Sequence, residues 1–541
     1  MENTFFQDAA GKPFMPIGLQ VHNSSTGSSM IKKAVQAVKA YGGNCLEAPV
    51  YWCCVEPEQD RYDMELVKGI VDEARSAGLH LILLWFGTSK NGHPNYVPEY
   101  IKLQPQTYRL ALGPDKAPVP SLSVHCRATL ERDKKAFVKF MEFLKAYDGE
   151  ERTVLAVQIE NEMGYANTDR DYSRMADRDY EKSVPEALKD VELPDSGKES
   201  IPADSAVSPW KKQFGRHSHE AFSAWHHALY INEIAEAGKG IYRIPMITNV
   251  MVGEQSYEEP GLCYNAGAAV GRVLDIWKAG APALDLLGPD IYNQNRREYV
   301  RICEAYARED NPLFIPESPV RGEANAMNAL LAAADYGAVG ICAFGAESAL
   351  DEEGKLMEDC RDMALTMRIL SSMTPLLIRY RNTGRVHAFA EEEFETSHYL
   401  KLPEYHVVAK YLRHEKMYFG YTMDTGSEEG RKKAQVRGRA LLVQTGPCEF
   451  YLGGAGVALD FYKRPAPGDE DCFSHLSSRQ SGQLNFLSVE EGHFDGETWV
   501  TELMRNGDET NFSQYVLDGQ LLRIRLNPDT GMDVEDKERD L

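Results

Sequence analysis

The chain has 541 residues and a formal net charge of −23, with 59 Lys and Arg against 82 Asp and Glu. A surface this acidic repels the phosphates of nucleic acids and of anionic lipids, so we expect neither nucleic acid nor a membrane as a partner. Hydrophobic residues make up 43% and charged residues 26%, which is typical of a globular protein. The length predicts one large domain with one or two smaller ones.

The N-terminus and the cysteines both favour the cytoplasm. The first residues, MENTFFQDAAGKPFMP, contain no basic segment followed by an apolar stretch, so we expect no secretory signal. No apolar run approaches the roughly 20 residues of a membrane-spanning helix. The ten cysteines are scattered and form no CxxC pair, which predicts reduced thiols rather than a disulfide framework.

Up to about residue 375, short apolar segments alternate with amphipathic ones. The apolar segments predict eight strands, at 13–22, 44–52, 79–86, 153–162, 244–250, 284–292, 312–318 and 338–345. The amphipathic segments predict helices at about 29–41, 63–78, 133–147, 218–237, 296–308, 323–336 and 355–373. One more helix, after the fifth strand, is predicted to end near residue 277. This is the element count of an α/β protein with a (β/α)₈ (TIM) barrel at residues 1–375.

A doubly wound sheet also alternates strands with helices, but the polar residues favour the barrel. They cluster at the C-terminal ends of the apolar strands, where the strands of a barrel converge on one mouth. The residues at these ends are Gln20, His22, Glu47, Trp85, Glu162, Asn249, Tyr292, Glu317 and Glu347. Such a mouth is where the active sites of barrel enzymes lie, so these side chains are candidates for a functional site.

From about residue 376 to 541 the pattern changes to short β-rich runs broken by Gly and Pro, which predicts an all-β C-terminal domain. Asp495–Gly496 and Asn506–Gly507 are typical of hairpin turns. The GGAG segment at 453–456 is followed by no helical pattern, so it does not predict a phosphate-binding loop. The charged tail from about residue 528 is expected to be loose.

Two glutamates at strand ends suit the cleavage of a glycosidic bond. Glu162 ends the fourth predicted strand in VQIENEMG, and Glu317 ends the seventh in PLFIPESP. Glycoside cleavage needs one carboxyl group to protonate the leaving oxygen and a second one to attack or stabilise the anomeric carbon. The alternative is that both carboxylates are surface groups or members of ion pairs.

These motifs resemble clan A of the glycoside hydrolases, and VQIENEMG is similar to the acid/base motif of family 35, the β-galactosidases. YWCCVEPEQDRYD (51–63) resembles the segment after strand two of that clan. Further stretches, among them LLWFGTSKNG, LDLLGPDIYN and EEGHFDGETWV, resemble a branch of the family that has its own β-rich C-terminal domain. The resemblance covers nearly the whole chain.

The resemblance implies exo-action on a terminal β-linked sugar, retention of configuration and no metal or other cofactor. Carried over residue by residue, it makes Glu162 the acid/base and Glu317 the nucleophile. Asn161 would bind the sugar 2-hydroxyl group, and Tyr292 would orient the nucleophile.

The chain departs from the clan at the end of strand eight, where many members have a Trp and this sequence reads ICAFGAES. Phe344 is expected to supply an apolar face there, and Glu347 a polar one. The galactose-binding tyrosine and the Asn-Ala-Glu segment of family 35 have no clear counterpart. The sugar specificity can therefore differ from galactose.

Four other strand-end residues are candidates for substrate binding. Trp85 would stack on a sugar ring or else belong to the barrel core. Glu47 would bind sugar hydroxyl groups or act as a structural hydrogen-bonding group. His22 would face the substrate or be an interior histidine, and Asn249 is expected to face the substrate.

Histidines at 217, 219, 226 and 227 suggest zinc, but no Cys or carboxylate stands at a matching spacing and no HExxH motif occurs. We therefore predict no metal. They lie in or near a polar insertion at 165–217, which would shape the substrate site, decorate the surface or form an oligomer contact.

The sequence thus predicts a retaining exo-β-glycosidase, with β-galactosidase as the leading activity and an oligosaccharide or glycoside as its partner. The alternatives are a carbohydrate-binding or degenerate barrel without catalysis, and a barrel enzyme of other chemistry such as a metal hydrolase. The sequence also allows a homo-oligomer.

Overall fold

The computed structural model describes residues 5–202, 205–253, 259–414, 428, 435–463, 486–505 and 513–527. The chain divides into two compact units. The first comprises residues 1–320 and 338–360, and the second comprises residues 321–337 and 361–541. The domain boundary predicted near residue 375 stays a prediction. The second unit also includes residues 321–337 and 361–375, which precede that boundary.

Eight parallel strands form the main sheet of the first unit. They are β1 (Ile17–Gln20), β2 (Cys45–Tyr51), β3 (His80–Lys90), β4 (Val154–Asn161), β5 (Met246–Met251), β6 (Leu286–Asp290), β7 (Phe314–Ile315) and β8 (Gly340–Phe344). Their order in the sheet is β6-β5-β4-β3-β2-β1-β8-β7. All but a few of their residues are buried, as expected for parallel strands that are covered on both faces.

The two ends of this sheet, β6 and β7, are joined by hydrogen bonds. The Ile291 amide donates to the Glu317 carbonyl at 2.9 Å, just beyond the ends of both strands. At the other end of the strands, the Asn311 side chain accepts from the Leu287 amide at 3.0 Å and donates to the Leu287 carbonyl at 3.1 Å. The eight strands therefore follow one another around a near-closed barrel, and the predicted TIM barrel is confirmed.

A helix follows each strand in the sequence. These helices are α1 (Ser28–Ala40), α2 (Glu65–Ser76), α3 (Arg127–Asp148), α4 (Ser218–Ile241), α5 (Leu274–Gly280), α6 (Arg296–Tyr306), α7 (Glu323–Ala334) and α8 (Arg361–Ser372). Gly42 and Gly78 end the first two with φ of +66° and +70°, a conformation that glycine adopts without steric cost. Helices α7 and α8 belong to the second unit by their contacts.

The predicted and observed elements differ mainly at their ends. Strand β3 runs four residues beyond the predicted end at 86, and β7 is only two residues long. Helix α3 begins at Arg127, six residues before the prediction. The additions include a small helix within the polar insertion, Arg174–Tyr180, which we call the insertion helix.

The second unit contains two antiparallel sheets. The strands are β9 (Val386–Ala390), β10 (Ser397–Lys401), β11 (Tyr405–Tyr411), β12 (Arg439–Gly446), β13 (Glu449–Ala455), β14 (Val457–Lys463), β15 (Phe486–Asp495), β16 (Thr498–Met504), β17 (Gln514–Val516) and β18 (Gln520–Leu526). One sheet has the order β9-β12-β13-β18-β15-β16, and the other has the order β10-β11-β14-β17. A β-rich C-terminal region, as predicted from the sequence, is confirmed.

The inner faces of these two sheets share one apolar core, which includes Val407, Leu452 and Ile524. The turn predicted at Asp495–Gly496 joins β15 to β16, and Gly496 has φ of +59°. The other predicted turn, Asn506–Gly507, and the tail from residue 528 lie outside the described residues. Within the described part of the chain, no helix has both the length and the apolar character that a membrane crossing requires.

Candidate active site

A pocket of about 280 Å³ lies at the C-terminal ends of the barrel strands. Its lining combines three carboxyl groups with amide, amine and apolar side chains. The lining residues are Asn23, Lys90, Asn91, Glu162, Met251, Val252, Asp290, Tyr292, Glu317 and Phe344. Four of the residues singled out in the sequence, Glu162, Tyr292, Glu317 and Phe344, are therefore brought together by the fold.

Glu162 follows β4 directly and is held by amide side chains. Its backbone N–H donates to Asn249 Oδ1 at 2.9 Å, and its carbonyl accepts from Asn265 Nδ2 at 2.7 Å. Its φ is +46°, which is rare for a residue with a side chain and costs conformational energy. These two amides hold the strained backbone that directs the carboxyl group into the pocket.

Glu317 follows β7 and accepts hydrogen bonds from three side chains. Gln20 Nε2 donates to Oε1 at 2.9 Å, and Asn249 Nδ2 donates to the same atom at 3.3 Å. The Tyr292 hydroxyl donates to Oε2 at 2.7 Å. All three partners are donors, so the carboxylate is fixed in one orientation as an acceptor. Burial and the charge of Glu317 raise the pKa of Tyr292, which keeps this donor protonated.

Asp290, the last residue of β6, is a third carboxyl group that the sequence analysis missed. It is 2% exposed, and one of its oxygens, one of Glu162 and one of Glu317 lie within 4.8 Å of one another. Burial, Glu317 and Glu162 raise the pKa of Asp290 well above its usual value. It also forms a hydrogen bond with Glu162, and two carboxyl groups can do so only if they share a proton.

Asn249, at the end of β5, connects all three acids. Besides its contacts with Glu162 and Glu317, its Nδ2 donates to Asp290 Oδ2 at 2.7 Å and to Asn161 Oδ1 at 3.2 Å. Asn249 does not line the pocket, and its side chain is 3% exposed. It therefore lies beneath the acids as a positioning residue rather than facing the pocket as the sequence suggested.

Asn161 precedes Glu162 and is fully buried. Its Nδ2 donates to Asn91 Oδ1 at 3.0 Å, so its amide is fixed beside the pocket. It is not among the lining residues. A direct contact with a sugar hydroxyl group stays a prediction.

Glu47, at the third position of β2, is completely buried and does not line the pocket. Burial and the charge of Glu317 raise its pKa well above the usual value. Its position beneath the pocket agrees with the structural alternative for this residue better than with sugar binding.

The corner at the end of β8 contains His22, Phe344 and Glu347. Phe344 lines the pocket, and the His22 ring meets it edge-on with 5.1 Å between ring centroids. The His22 backbone N–H donates to Glu347 Oε2 at 3.0 Å, and its Nε2 lies 2.7 Å from Ser348 Oγ. Phe344 thus presents the apolar face to the pocket. His22 and Glu347 do not line the pocket; His22 packs against Phe344 and donates a hydrogen bond to Glu347.

Trp85 lies in the barrel core. Its ring stacks on Phe140 with 5.6 Å between centroids, and its Nε1 donates to Asp133 Oδ1 at 2.9 Å on helix α3. It is fully buried and does not line the pocket. The proposed stacking of Trp85 on a sugar is therefore corrected: the side chain leaves β3 on the face that packs against the helices.

Five further lining residues were not predicted: Asn23, Lys90, Asn91, Met251 and Val252. Lys90 is 6% exposed and is part of β3 beyond an irregularity in its pairing with β4. Sequence periodicity gives no signal for this extension. Asp290 could have been found, because it stands two residues before Tyr292 and side chains two apart in a strand share a face.

Two sequence families match the chain. Residues 24–196 match the glycoside hydrolase family 42, described as Beta-galactosidase, and residues 364–516 match a domain of unknown function, DUF5597. Among curated proteins, none matches significantly. The first match supports a clan A glycoside hydrolase, and the family it indicates is 42 rather than the predicted family 35.

Similar solved structures include three glycosidases. The β-galactosidase of Halorubrum lacusprofundi is 15% identical over 66% of this chain and 58% of its own, with a TM-score of 0.48. The β-galactosidase of Rahnella sp. R3 is 15% identical over 69% of this chain and 58% of its own, with a TM-score of 0.49. An exo-β-1,4-mannosidase of an Opitutaceae bacterium is 14% identical over 69% of this chain and 62% of its own, with a TM-score of 0.44. The chain thus spans about three fifths of the length of these proteins.

The family 42 match, over residues 24–196, lies within the first unit and includes Glu162.

Proposed function

We propose that the chain is a retaining exo-β-galactosidase in which Glu162 is the acid/base and Glu317 the nucleophile. The separation of the acids carries the proposal, since one oxygen of Glu162 and one of Glu317 lie within 4.8 Å of each other. Retaining glycosidases have their two carboxyl groups about 5 to 5.5 Å apart, and inverting ones about 6.5 to 9.5 Å apart with a water between them. The spacing favours direct attack by a carboxylate.

In the first step, Glu317 attacks the anomeric carbon of the terminal sugar while Glu162 protonates the departing glycosidic oxygen. The bond to the leaving group breaks, and a glycosyl ester forms on Glu317. The Tyr292 hydroxyl group, 2.7 Å from Glu317 Oε2, orients the attacking carboxylate. The ester has the opposite anomeric configuration to the substrate.

In the second step, Glu162 removes a proton from a water molecule that attacks the same carbon. The ester bond breaks, the sugar leaves with its original configuration, and Glu162 is protonated again. One residue can serve both steps because it faces the position that the leaving group vacates.

Asp290 supports the acid/base in this scheme. Glu162 and Asp290 share a proton inside a buried cluster that Glu317 makes more negative. Such a pair titrates as a unit and binds its proton more tightly than an isolated carboxyl group would. Asp290 would therefore keep a proton beside Glu162 until the substrate arrives.

A single terminal sugar suits the pocket. Its volume of about 280 Å³ lies near the lower end of the range for small-molecule sites. Phe344 offers an apolar face for the C–H face of a ring, and Lys90 and Asn91 offer donors for hydroxyl groups. We assign Asn161 to the 2-hydroxyl group by the family resemblance. The name of the matching family supports galactose, and membership of family 35 stays a prediction.

A metal-dependent hydrolase is the second candidate, because three carboxylate oxygens within 4.8 Å of one another could also hold a divalent cation. The hydrogen bonds argue against it. Tyr292, Gln20 and Asn249 direct donor hydrogens at the oxygens of Glu317 and Asp290. A bound cation would need the lone pairs of the same oxygens. These donors suit carboxyl groups that act on a sugar.

A panel of nitrophenyl glycosides, assayed with and without a chelator, tests the proposal. We expect the β-galactoside to be cleaved fastest, at a rate that the chelator does not change. Proton NMR of the first product should show the β-anomer before mutarotation. An α-anomer would contradict retention, a faster reaction with another sugar would change the specificity, and loss of activity with the chelator would favour the metal hydrolase. Hydrolysis of none of the glycosides would favour a binding protein.

A cytoplasmic location and a homo-oligomeric state stay predictions.

A further inference from the structure

Two imidazoles and a carboxylate meet in the first unit at residues that the proposed reaction does not use. His125 stands just before helix α3, Asp179 lies in the insertion helix, and His226 lies in helix α4. One donor atom from each of the three lies within 4.8 Å of the other two. None of the three lines the pocket.

The cluster is preorganised by hydrogen bonding and ring packing. His125 Nδ1 lies 2.9 Å from Asp179 Oδ2, and the rings of His125 and His226 have centroids 4.4 Å apart. Phe222 packs against both rings, with centroid distances of 5.5 Å to His125 and 4.5 Å to His226. The side chain of His125 is 3% exposed, while that of Asp179 is 27% exposed, so an ion can reach the group from one side.

The charges of the group suit a cation. An imidazole nitrogen offers a lone pair to a metal ion, and a carboxylate adds a negative charge. Lys182 also pairs with Asp179, at 2.7 Å through the other oxygen, Oδ1, but its side chain is 72% exposed and can move into solvent.

We propose that His125, Asp179 and His226 bind a divalent transition-metal ion, with Zn²⁺ as the expected species and water in the remaining position. Two imidazole nitrogens and one carboxylate oxygen are ligands that zinc accepts, whereas Mg²⁺ and Ca²⁺ prefer oxygen alone. Ligand atoms around one zinc ion lie roughly 3.3 Å apart, given bonds of about 2.0 to 2.1 Å. Small side-chain rotations would bring the three donor atoms to that spacing.

The ion would join three separate segments of the first unit. It would link the insertion helix to the start of α3 and to the middle of α4. Because the insertion helix has only seven residues, an ion that fixes it would contribute a large share of its local stability. The site is thus structural, and its ion takes no part in the reaction at Glu162 and Glu317.

The proposal departs from the prediction of no metal, which rested on spacing within one segment. The ligands here stand 54 and 101 residues from His125, as their numbers show, so no local motif contains them. His219 makes a useful contrast on the same helix. It pairs with Asp169 at 2.6 Å, but it does not belong to a group of three potential ligands among the described residues.

Zinc binding to the full chain tests the proposal. The protein is stripped with a chelator, dialysed and titrated with Zn²⁺ by calorimetry, with Mg²⁺ as the comparison ion, and its melting temperature is measured with and without Zn²⁺. His226→Gln and Asp179→Asn each remove one ligand, and His219→Gln is the matched control. A titration with Co²⁺ adds a visible absorption spectrum that reports nitrogen and oxygen ligation.

We expect one Zn²⁺ per chain and a higher melting temperature with Zn²⁺ than with Mg²⁺. His226→Gln and Asp179→Asn should each weaken Zn²⁺ binding by at least about tenfold and remove the thermal shift. Loss of a residue that only hydrogen-bonds to a metal ligand already lowers metal affinity by about tenfold or more, and loss of a ligand itself should cost at least as much. His219→Gln should bind Zn²⁺ like the unsubstituted protein. No stoichiometric binding, or equal binding by all the variants, would overturn the proposal. Glycoside hydrolysis at low temperature should not change with the chelator, so this test and that of the proposed function can fail separately.

Discussion

Strand β4 and the residue that follows it carry two buried glutamates, Glu160 and Glu162, in different surroundings. Both have positive φ, at +60° and +46°. Glu162 faces the pocket beside Asp290, whereas Glu160 faces the helices beside Asp133. Each therefore shares a hydrogen bond with a buried aspartate, one pair beside the pocket and the other beside the helices.

The pair on the helix side is fully satisfied by protein groups. Glu160 accepts from the Thr88 and Ser89 backbone amides at 2.9 and 2.6 Å, and Asp133 accepts from Trp85 and Tyr230 at 2.9 and 3.1 Å. Burial raises the pKa of both carboxyl groups, that of Asp133 to about 6. A raised pKa therefore does not distinguish a catalytic acid from a structural one; access to the pocket does.

The largest effect is expected for Glu317→Ala, which removes the nucleophile. Hydrolysis should fall by roughly four orders of magnitude or more, the scale found when a nucleophile is deleted. Azide can enter the space that the carboxylate leaves and attack the substrate directly, so the variant should form an α-glycosyl azide. NMR of the azide product checks this, and a β-glycosyl azide would mean that the two glutamates have exchanged roles.

Glu162→Ala should reduce activity less, and in a way that depends on the leaving group. A nitrophenolate needs little protonation, so the glycosyl ester should still form, while its hydrolysis slows by roughly 10² to 10⁴-fold without a general base. Mass spectrometry of the intact protein should show the ester, and azide should release a β-glycosyl azide. If Glu162→Ala cleaves unactivated glycosides at the normal rate, the acid/base lies elsewhere.

Asp290→Asn tests the pair on the pocket side. Without a partner to share its proton, Glu162 should lose that proton at a lower pH, so the alkaline limb of the kcat profile should move to lower pH. The maximal rate should fall by roughly tenfold, less than for either glutamate. An unchanged alkaline limb would show that Asp290 only fills space.

Asp133→Asn is the matched substitution on the helix side, and its effect on activity should be the smallest. In the folded protein the pKa of Asp133 is about 6 rather than 3.8, so the folded state binds more protons between these values and loses stability as the pH rises. An asparagine carries no charge at any pH. Relative to the unsubstituted protein, the variant should therefore gain stability from pH 4 to pH 7, by about 2 kcal/mol.

Urea unfolding at several pH values measures this difference, and the kcat profile should keep both limbs in place. A shifted alkaline limb in Asp133→Asn would mean that the two pairs are coupled through β4.

The barrel follows from eight apolar segments, and the positions of Glu162 and Glu317 follow from their places at the ends of two of them. Periodicity failed for Trp85, because a parallel strand buried on both faces is apolar throughout and its two faces cannot be told apart. The roles of the site residues stay predictions.

Other parts of the site depend on features that no local pattern encodes. Lys90 reaches the pocket because β3 continues past an irregularity at which its register with β4 changes. Glu160 holds that extension through Thr88 and Ser89, a contact between residues more than 70 positions apart. Asn249 meets the three acids only after the barrel has closed, so its role as their common hydrogen-bond partner is a property of the fold.

The assignment of Glu317 as nucleophile is the central claim, and trapping the covalent intermediate tests it most directly. A 2-deoxy-2-fluoro-β-galactoside with a good leaving group should label the protein once, because the fluorine slows both steps while the good leaving group still lets the ester form. Peptide mapping by mass spectrometry should place the label on Glu317, and Glu317→Ala should take up none. A label on Glu162 or Asp290, or on a residue outside the pocket, would contradict the account.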